Sequence, residues 1–206
     1  MRKLNAIFFL LLVFLPSYFL FSQSSDDPVY EEDWDPSFQE ETYVQGDQIF
    51  IMSIGVTFPV LFIRDGEPIE HNLTPPVGGA GSLIYSYFLT SHVFLGLEIS
   101  GIFNPTLGLN QVFLIPIGLK AGYQFNIGRF DIPLVYTIGI NWHRYLNETY
   151  FGLYMKGGAG AYFRFDGDWS FGLMVDWCWF PEWTNDPAKD VHGNIIDLKL
   201  SARYHF

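Results

Sequence analysis

Apolar and polar residues alternate with a period of two along most of the chain after residue 47. A clear example is the segment 93–103, in which one face is formed by Val93, Leu95, Leu97 and Ile99. Successive side chains of a β-strand point to opposite faces, so this pattern predicts strands that are apolar on one side. Because no stretch of this region shows a convincing 3.6-residue period, we predict an all-β fold.

Eight segments carry the alternation, and their connections differ in length. The predicted strands are 48–63, 78–89, 93–103, 111–125, 130–142, 150–165, 169–180 and 194–206. Short turns at 90–92, 126–129 and 166–168 alternate with longer polar loops at 64–77, 104–110, 143–149 and 181–193. An even number of antiparallel strands with short turns at one end and long loops at the other is typical of a transmembrane β-barrel. We therefore predict an eight-stranded antiparallel up-and-down barrel.

The polarity of the two faces separates a membrane barrel from a soluble one. In segment 111–125 the apolar face holds large side chains, whereas the other face holds Pro116, Gly118, Lys120, Gly122 and Gln124. This second face is too rich in glycine for an ordinary solvent face, and it suits the narrow interior of an eight-stranded barrel. The interpretation is an inside-out barrel whose apolar face contacts lipid. A soluble lipocalin-like barrel is the alternative.

Composition agrees with lipid contact and limits the possible partners. Aromatic residues make up 19% of the 206 residues and charged residues only 16%. Many of the aromatics fall near predicted strand ends, where interfacial belts of membrane barrels lie. The formal net charge of −11 argues against nucleic acid as a partner. A single cysteine, Cys178, excludes an intrachain disulfide framework.

Charge divides the chain into three parts. Residues 1–22 begin with Arg2 and Lys3, continue with an apolar run and predict a secretory signal peptide; an uncleaved N-terminal anchor is the alternative. Residues 23–47 hold nine acids and no base, which predicts a solvated, disordered segment. Residues 48–206, the predicted barrel, hold 13 acids and 9 bases, so their net charge is only −4.

The chain ends in apolar and aromatic residues at alternate positions: Leu200, Ala202, Tyr204 and Phe206. With the signal peptide and the eight segments, this ending resembles the small eight-stranded bacterial outer-membrane barrels of the OmpA/OmpX/OmpW-like group. The resemblance implies a monomer in the bacterial outer membrane, with short turns in the periplasm and longer loops outside. It also implies that Leu200, Ala202, Tyr204 and Phe206 form the insertion signal recognised by the barrel-assembly machinery. The acidic segment has no counterpart in this resemblance.

Ionisable residues on the inward face cluster by depth along the predicted strands. They are Glu98, Lys120, Lys156, Asp176, Asp197, Lys199 and Arg203. Charges removed from water must be paired, so these residues predict a salt-bridge network that plugs the lumen. A gated polar path is the alternative use of the same residues.

The remaining chemistry of the sequence is sparse. His71, His143 and His192 fall on predicted long loops without a spacing that indicates a metal site, so neither metal nor cofactor is expected. Ser91 and His92 are adjacent on a predicted turn, without an acid that the sequence places beside them.

The leading functional hypothesis is a non-catalytic outer-membrane barrel whose loops serve envelope integrity or interaction. The loops 64–77 and 181–193 are the longest and would meet an external ligand. The first alternative is an OmpW-like conduit for small hydrophobic molecules, which requires a wall opening or a dry apolar tunnel. The second is a lipid-modifying enzyme, which requires a histidine within reach of a serine or an acid at the rim.

Overall fold

The computed structural model describes residues 43–69, 77–105, 111–145, 148–183 and 190–206. Within these ranges the elements are all strands. They are β1 (Gln48–Arg64), β2 (Glu67–Ile69), β3 (Gly78–Phe88), β4 (Val93–Pro105), β5 (Gln111–Ile127), β6 (Phe130–Tyr145), β7 (Glu148–Arg164), β8 (Trp169–Glu182) and β9 (Val191–His205).

The strands form one closed antiparallel barrel. Strands β3 to β9 follow one another in a meander, β1 pairs with β3, and β1 also pairs with β9 along its whole length. The pairing of the first long strand with the last closes the sheet, which leaves eight strands in the wall. Strand β2 lies outside this count, because it only forms a short hairpin with the end of β1, with Arg64 opposite Glu67. The predicted eight-stranded up-and-down barrel is confirmed.

The two faces of the wall have the polarity of a membrane barrel. In β5, Leu119 is 65% exposed on the outer face, whereas its neighbour Lys120 is 2% exposed in the lumen. The same inversion holds in β9, where Leu200 points outward and Arg203 is fully buried. A soluble barrel requires the opposite arrangement. This rejects the lipocalin-like alternative for the wall.

Aromatic side chains form a belt on the outer face near the short turns. Trp169 lies 5.0 Å from Tyr204 between ring centroids, and Tyr204 lies 4.9 Å from Phe206. Tyr123 and Phe125 make a similar contact at 4.8 Å on β5. Amphipathic rings at this level suit the interface between lipid and water.

The strands reach further toward the long-loop end than predicted. Tyr145 pairs with Glu148, so the β6–β7 pairing continues into the region 143–149 where a loop was expected. His143 and His192 therefore lie in β6 and β9, and their expected place on loops is wrong; His71 lies outside the described residues. The physical reason is that polar residues pair as well as apolar ones in the part of a wall that leaves the lipid.

The N-terminal part of the described chain also differs from expectation. Residues 1–22, the predicted signal peptide, and residues 23–42 of the acidic segment lie outside the described residues. Residues 43–47, in contrast, fold against the barrel: Tyr43 is 4% exposed and stacks on Phe88. Residues 43–47 were predicted to be disordered with the rest of the segment, and that prediction is wrong for them because the Tyr43 ring occupies a lumen pocket. The part of the chain that is described holds no helix long and apolar enough to cross a membrane.

Candidate functional site

The lumen holds a compact group of buried, charged side chains at mid-height. We define the central ionic cluster as six residues from five strands: Glu98, Lys120, Lys156, Asp176, Asp197 and Lys199. Alternation aims each of them inward, and each is no more than 2% exposed. The cluster contains as many carboxylates as ammonium groups, so it is formally neutral.

On one side of the central ionic cluster, the charged side chains are held together by the carboxylate of Glu98. Its Oε2 accepts hydrogen bonds from Lys120 Nζ at 2.9 Å and from Thr137 Oγ1 at 3.1 Å. Its Oε1 accepts from Ser100 Oγ at 2.7 Å and from Lys156 Nζ. One carboxylate thus ties β4 to β5, β6 and β7 across the lumen. Four donors on one buried carboxylate are the arrangement that burial of its charge requires.

The other side of the cluster is centred on Lys199. Its Nζ lies 2.7 Å from Asp176 Oδ2 and 3.7 Å from Asp197 Oδ2. Lys156 Nζ lies 3.9 Å from Asp176 Oδ2 and so connects the two sides. The thiol of Cys178 is buried and free, and it donates to Asp197 Oδ2 at 3.4 Å. The pairing extends across β7, β8 and β9.

Arg203 belongs to a different group, nearer the short turns. We define the mouth cluster as Asp131, Arg164 and Arg203, with Tyr43 and Gln124, which bond to them, and His205, which bonds to Tyr43. Arg203 Nη1 donates to Gln124 Oε1 at 2.8 Å and lies 3.5 Å from Asp131 Oδ2. Arg164 Nη2 lies 3.2 and 3.1 Å from the two oxygens of Asp131. The sequence interpretation placed Arg203 in one network with the lysines, and the structure separates them.

Asp131 and Arg164 were not singled out from the sequence, although a usable pattern was present. Asp131 has the same parity as the inward Gly139 of β6, and Arg164 has the same parity as the inward Gly158 of β7. Both lie at strand ends next to short turns, where charged residues are normally assigned to solvent. Parity alone, applied at the ends of the predicted strands 130–142 and 150–165, would have placed both in the lumen.

The predicted insertion-signal residues share the outer face of β9. Leu200 and Phe206 are strongly exposed there, and Ala202 and Tyr204 are half-buried against neighbouring strands. Tyr204 pairs with Trp169 of β8 and with Phe50 of β1. The side chains are thus presented on the face that meets lipid, at the end of the strand that closes the barrel.

Three histidines lie within reach of a hydroxyl or an acid. Ser91 Oγ is 2.7 Å from His92 Nδ1 on the β3–β4 turn, and His143 Nδ1 is 3.2 Å from Glu182 Oε1 at the long-loop end. Ser170 Oγ is 2.6 Å from His205 Nε2 in the mouth. Ser170 is fully buried, so a substrate carbonyl does not reach its hydroxyl in this conformation. In the described ranges no group of three or more histidine, cysteine or acidic residues is arranged to hold a metal ion.

An apolar groove lies on the outer wall of the described barrel. It has a volume of about 880 Å³ and is lined by residues of β1, β3, β4, β5, β8 and β9, with Ile54, Gly81 and Gly101 among them. Exposed apolar side chains such as Leu83 and Leu200 form its walls. The β4–β5 pairing is interrupted beside it: Ile99 lies opposite Ile117 and Ile102 opposite Leu114 in the same register, and the pairing skips Ser100 and Gly101.

The closed wall, the apolar outer face and the ionic lumen define the class: an eight-stranded β-barrel of the outer-membrane type. Neisserial surface protein A matches the fold with a TM-score of 0.59 at 11% identity, over 79% of this chain and 98% of that one. The outer membrane protein OprG from Pseudomonas aeruginosa matches with a TM-score of 0.51 at 13% identity, over 80% of this chain and 97% of that one.

Sequence comparison places the chain in a family. Residues 29–204 match one protein-family model, and the chain belongs to that family, which is uncharacterised. An uncharacterised protein of Treponema pallidum (strain Nichols) is 33% identical over 129 residues, which are 63% of this chain. The match spans 59% of the length of that relative.

Proposed function

We propose that the protein is a non-catalytic outer-membrane protein whose sealed barrel anchors surface loops for envelope integrity or interaction. In this proposal a signal peptide at 1–22 directs export, and the barrel-assembly machinery reads the ending around Phe206. The protein is a monomer in outer-membrane lipid. No nucleic acid takes part, and neither a metal nor a cofactor is needed.

The observation that carries the proposal is the central ionic cluster. Its charges contact one another across the barrel, from Lys120 through Glu98 and Lys156 to Asp176. An eight-stranded barrel is barely wide enough for its own inward side chains. A permeating ion would have to displace paired charges that are already removed from water, which is costly. These contacts support an anchor over a pore.

The long-loop end offers the surface for the proposed interaction. The β1–β2 hairpin carries exposed residues from Arg64 to Pro68, and Trp183 beyond β8 is 51% exposed. The backbone N–H of Trp183 donates to the Tyr150 hydroxyl at 2.7 Å, so the start of the 181–193 loop is tied to β7. An external ligand would therefore meet loops that leave a rigid rim.

The test combines foldedness and conductance on the same material. The full chain is refolded into detergent and then into phospholipid vesicles, and folding is checked by the shift of the unboiled band on a gel. We expect a folded, monomeric species that produces no ion conductance in a planar bilayer. Steady single-channel conductance would overturn the anchor proposal, and the absence of any band shift would contradict the barrel.

A second candidate function is lateral passage of small hydrophobic molecules, and the groove over Gly81 and Gly101 supports it. A side chain added at Gly101 meets no atom within 4 Å and would fill the groove. Gly79, whose added Cβ also meets no atom within 4 Å, does not line the groove and provides the control. Slower uptake of a hydrophobic dye by vesicles with Gly101→Leu, but not with Gly79→Leu, would favour the conduit. Equal rates for both variants and the unmodified protein favour the anchor.

A further inference from the structure

Residues Tyr43–Asp47, which we call the strap, bend back into the short-turn mouth of the barrel. The backbone N–H of Val44 donates to Asp47 Oδ2 at 2.8 Å, and Gly46 adopts a φ of +107°. The strap is fixed to β3 by two backbone hydrogen bonds, from Gly46 N to Phe88 O at 3.0 Å and from Phe88 N to Asp47 O at 2.9 Å. This turn delivers the Tyr43 side chain into the lumen rather than to solvent.

The pocket around Tyr43 matches both parts of a phenol. Its ring stacks on Phe88 at 4.1 Å with an interplanar angle of 11°, and the Arg164 guanidinium carbon lies 4.8 Å from the ring centroid. Its hydroxyl donates to Asp131 Oδ2 at 2.8 Å. Arg203 Nη1 lies 3.4 Å from the same hydroxyl oxygen, and His205 Nδ1 lies 3.1 Å from it. Ring and hydroxyl are therefore recognised by separate groups of the mouth cluster.

The groups that bind the ring and hydroxyl come from the barrel and not from the strap. Phe88, Asp131, Arg164 and Arg203 lie on four different long strands, whose positions are set by the closed sheet. Asp131 and Arg164 are also held together by their own ion pair. The pocket should therefore persist when Tyr43 is absent, as rigid apolar cavities do in other proteins.

The pocket is also within reach of water. A cavity of about 240 Å³ adjoins it, lined by Asp47, Arg164, Asp168 and His205 together with Tyr43 itself. Burial raises the pKa of the Tyr43 phenol above its ordinary value of 10.0, so the hydroxyl stays protonated at neutral pH and donates to the carboxylate.

We propose that the short-turn mouth contains a binding site for phenols, which Tyr43 occupies as an intramolecular ligand. The strap then blocks the site, and its Tyr43 side chain is held by the same contacts that would hold a free phenol. Withdrawal of the strap opens the site to a small phenolic molecule from the aqueous side. The proposal does not depend on the role of the loops.

The test uses the full chain with Tyr43→Ala, refolded into detergent, and 4-fluorophenol observed by fluorine NMR. We expect one saturable site that p-cresol competes for in this variant. Binding should be much weaker in the unmodified protein and in Tyr43→Phe, because the fluorophenol must first displace the ring that fills the pocket. Fluorobenzene should bind at least about tenfold more weakly than fluorophenol, because it lacks the hydroxyl that donates to a charged acceptor. Adding Asp131→Asn to Tyr43→Ala should remove most of this preference.

Foldedness is checked by the gel shift of each variant. Folded Tyr43→Ala protein that binds no fluorophenol would overturn the proposal, as would equal binding by the unmodified protein or an equal affinity for fluorobenzene. If Tyr43→Ala does not fold, 3-fluorotyrosine placed at position 43 provides the second measurement. Titration with p-cresol should then move the fluorine resonance toward its solvent-exposed position. An unmoved resonance at saturating p-cresol would equally overturn the proposal.

Discussion

Glu98→Gln is expected to destabilise the barrel strongly without opening it. The substitution keeps the size of the side chain but removes the charge that Lys120 and Lys156 share. It also replaces one acceptor oxygen by an amide group that donates toward a lysine. The six-residue central ionic cluster then carries a net charge of +1 in the lumen.

The contacts set the magnitude of this effect. Removing one partner of a buried ion pair costs about 3–5 kcal/mol, and glutamine retains one acceptor, so the expected loss is about 3 kcal/mol. At about 1.4 kcal/mol per tenfold change, the ratio of folded to unfolded protein falls about 100-fold. Ser100→Ala is the matched control on the same strand, because it deletes only the 2.7 Å hydrogen bond to Glu98. Its expected cost is about 1.5 kcal/mol.

The assay is urea unfolding of the protein in phospholipid vesicles, followed by tryptophan fluorescence and extrapolated linearly to zero urea. A double variant, Glu98→Gln with Lys120→Met, restores neutrality of the cluster and should recover about half of the loss. Conductance is recorded for each variant and should stay at the level of the empty bilayer. An unchanged free energy of unfolding for Glu98→Gln, or a new conductance, would refute the assignment of these charges to a structural plug.

Three further predictions follow from particular contacts. Tyr43 has a raised pKa, so its stabilising effect is complete below its ordinary pKa of 10.0 and is lost as the pH rises through the higher folded value; the stability difference between the unmodified protein and Tyr43→Phe should therefore shrink as the pH rises above 10, and a constant difference would count against the raised pKa. Gly139→Ala should prevent the gel shift, because its added Cβ overlaps the backbone of β5, whereas Gly79→Ala should fold normally; two folded variants would contradict the wall geometry. Phe206→Ala should lower the amount of barrel in the outer membrane of cells while refolding in detergent stays unchanged, and normal cellular insertion would remove Phe206 from the insertion signal.

The period-two alternation was sufficient to predict the barrel, because the parity of each strand fixes which residues enter the lumen. Lys120 and Asp176 were placed inward by this rule alone, and both are buried there. Parity does not specify the vertical offset between distant strands, which depends on the register around the closed sheet. The prediction therefore grouped Arg203 with Lys199, four residues away on the same face of β9, although Arg203 contacts Asp131 of β6 instead.

Tyr43 shows a different limit of sequence reasoning. Its surroundings in the sequence are acidic and polar, which correctly argues against a strand but gives no indication that one ring turns back into the lumen. That contact depends on Phe88 and Asp131, which are 45 and 88 positions away. A long-range pocket of this kind becomes visible only when the barrel has closed around it.

The central ionic cluster and the mouth cluster differ in net charge because their surroundings differ. At mid-height, where lipid surrounds the wall on every side, the central ionic cluster is neutral, since an unbalanced charge would have no counterion within reach. In the mouth cluster, two arginines face one carboxylate, Asp131. The excess is tolerable there because water and the acids Asp47 and Asp168 border the adjoining cavity.

A hydroxyl suits the position of the Tyr43 side chain better than a second buried carboxylate or an apolar group. It donates to Asp131 and presents an oxygen toward Arg203, so it adds hydrogen bonds on both sides without adding charge. This is the physical reason for a tyrosine at position 43 rather than a phenylalanine or a glutamate.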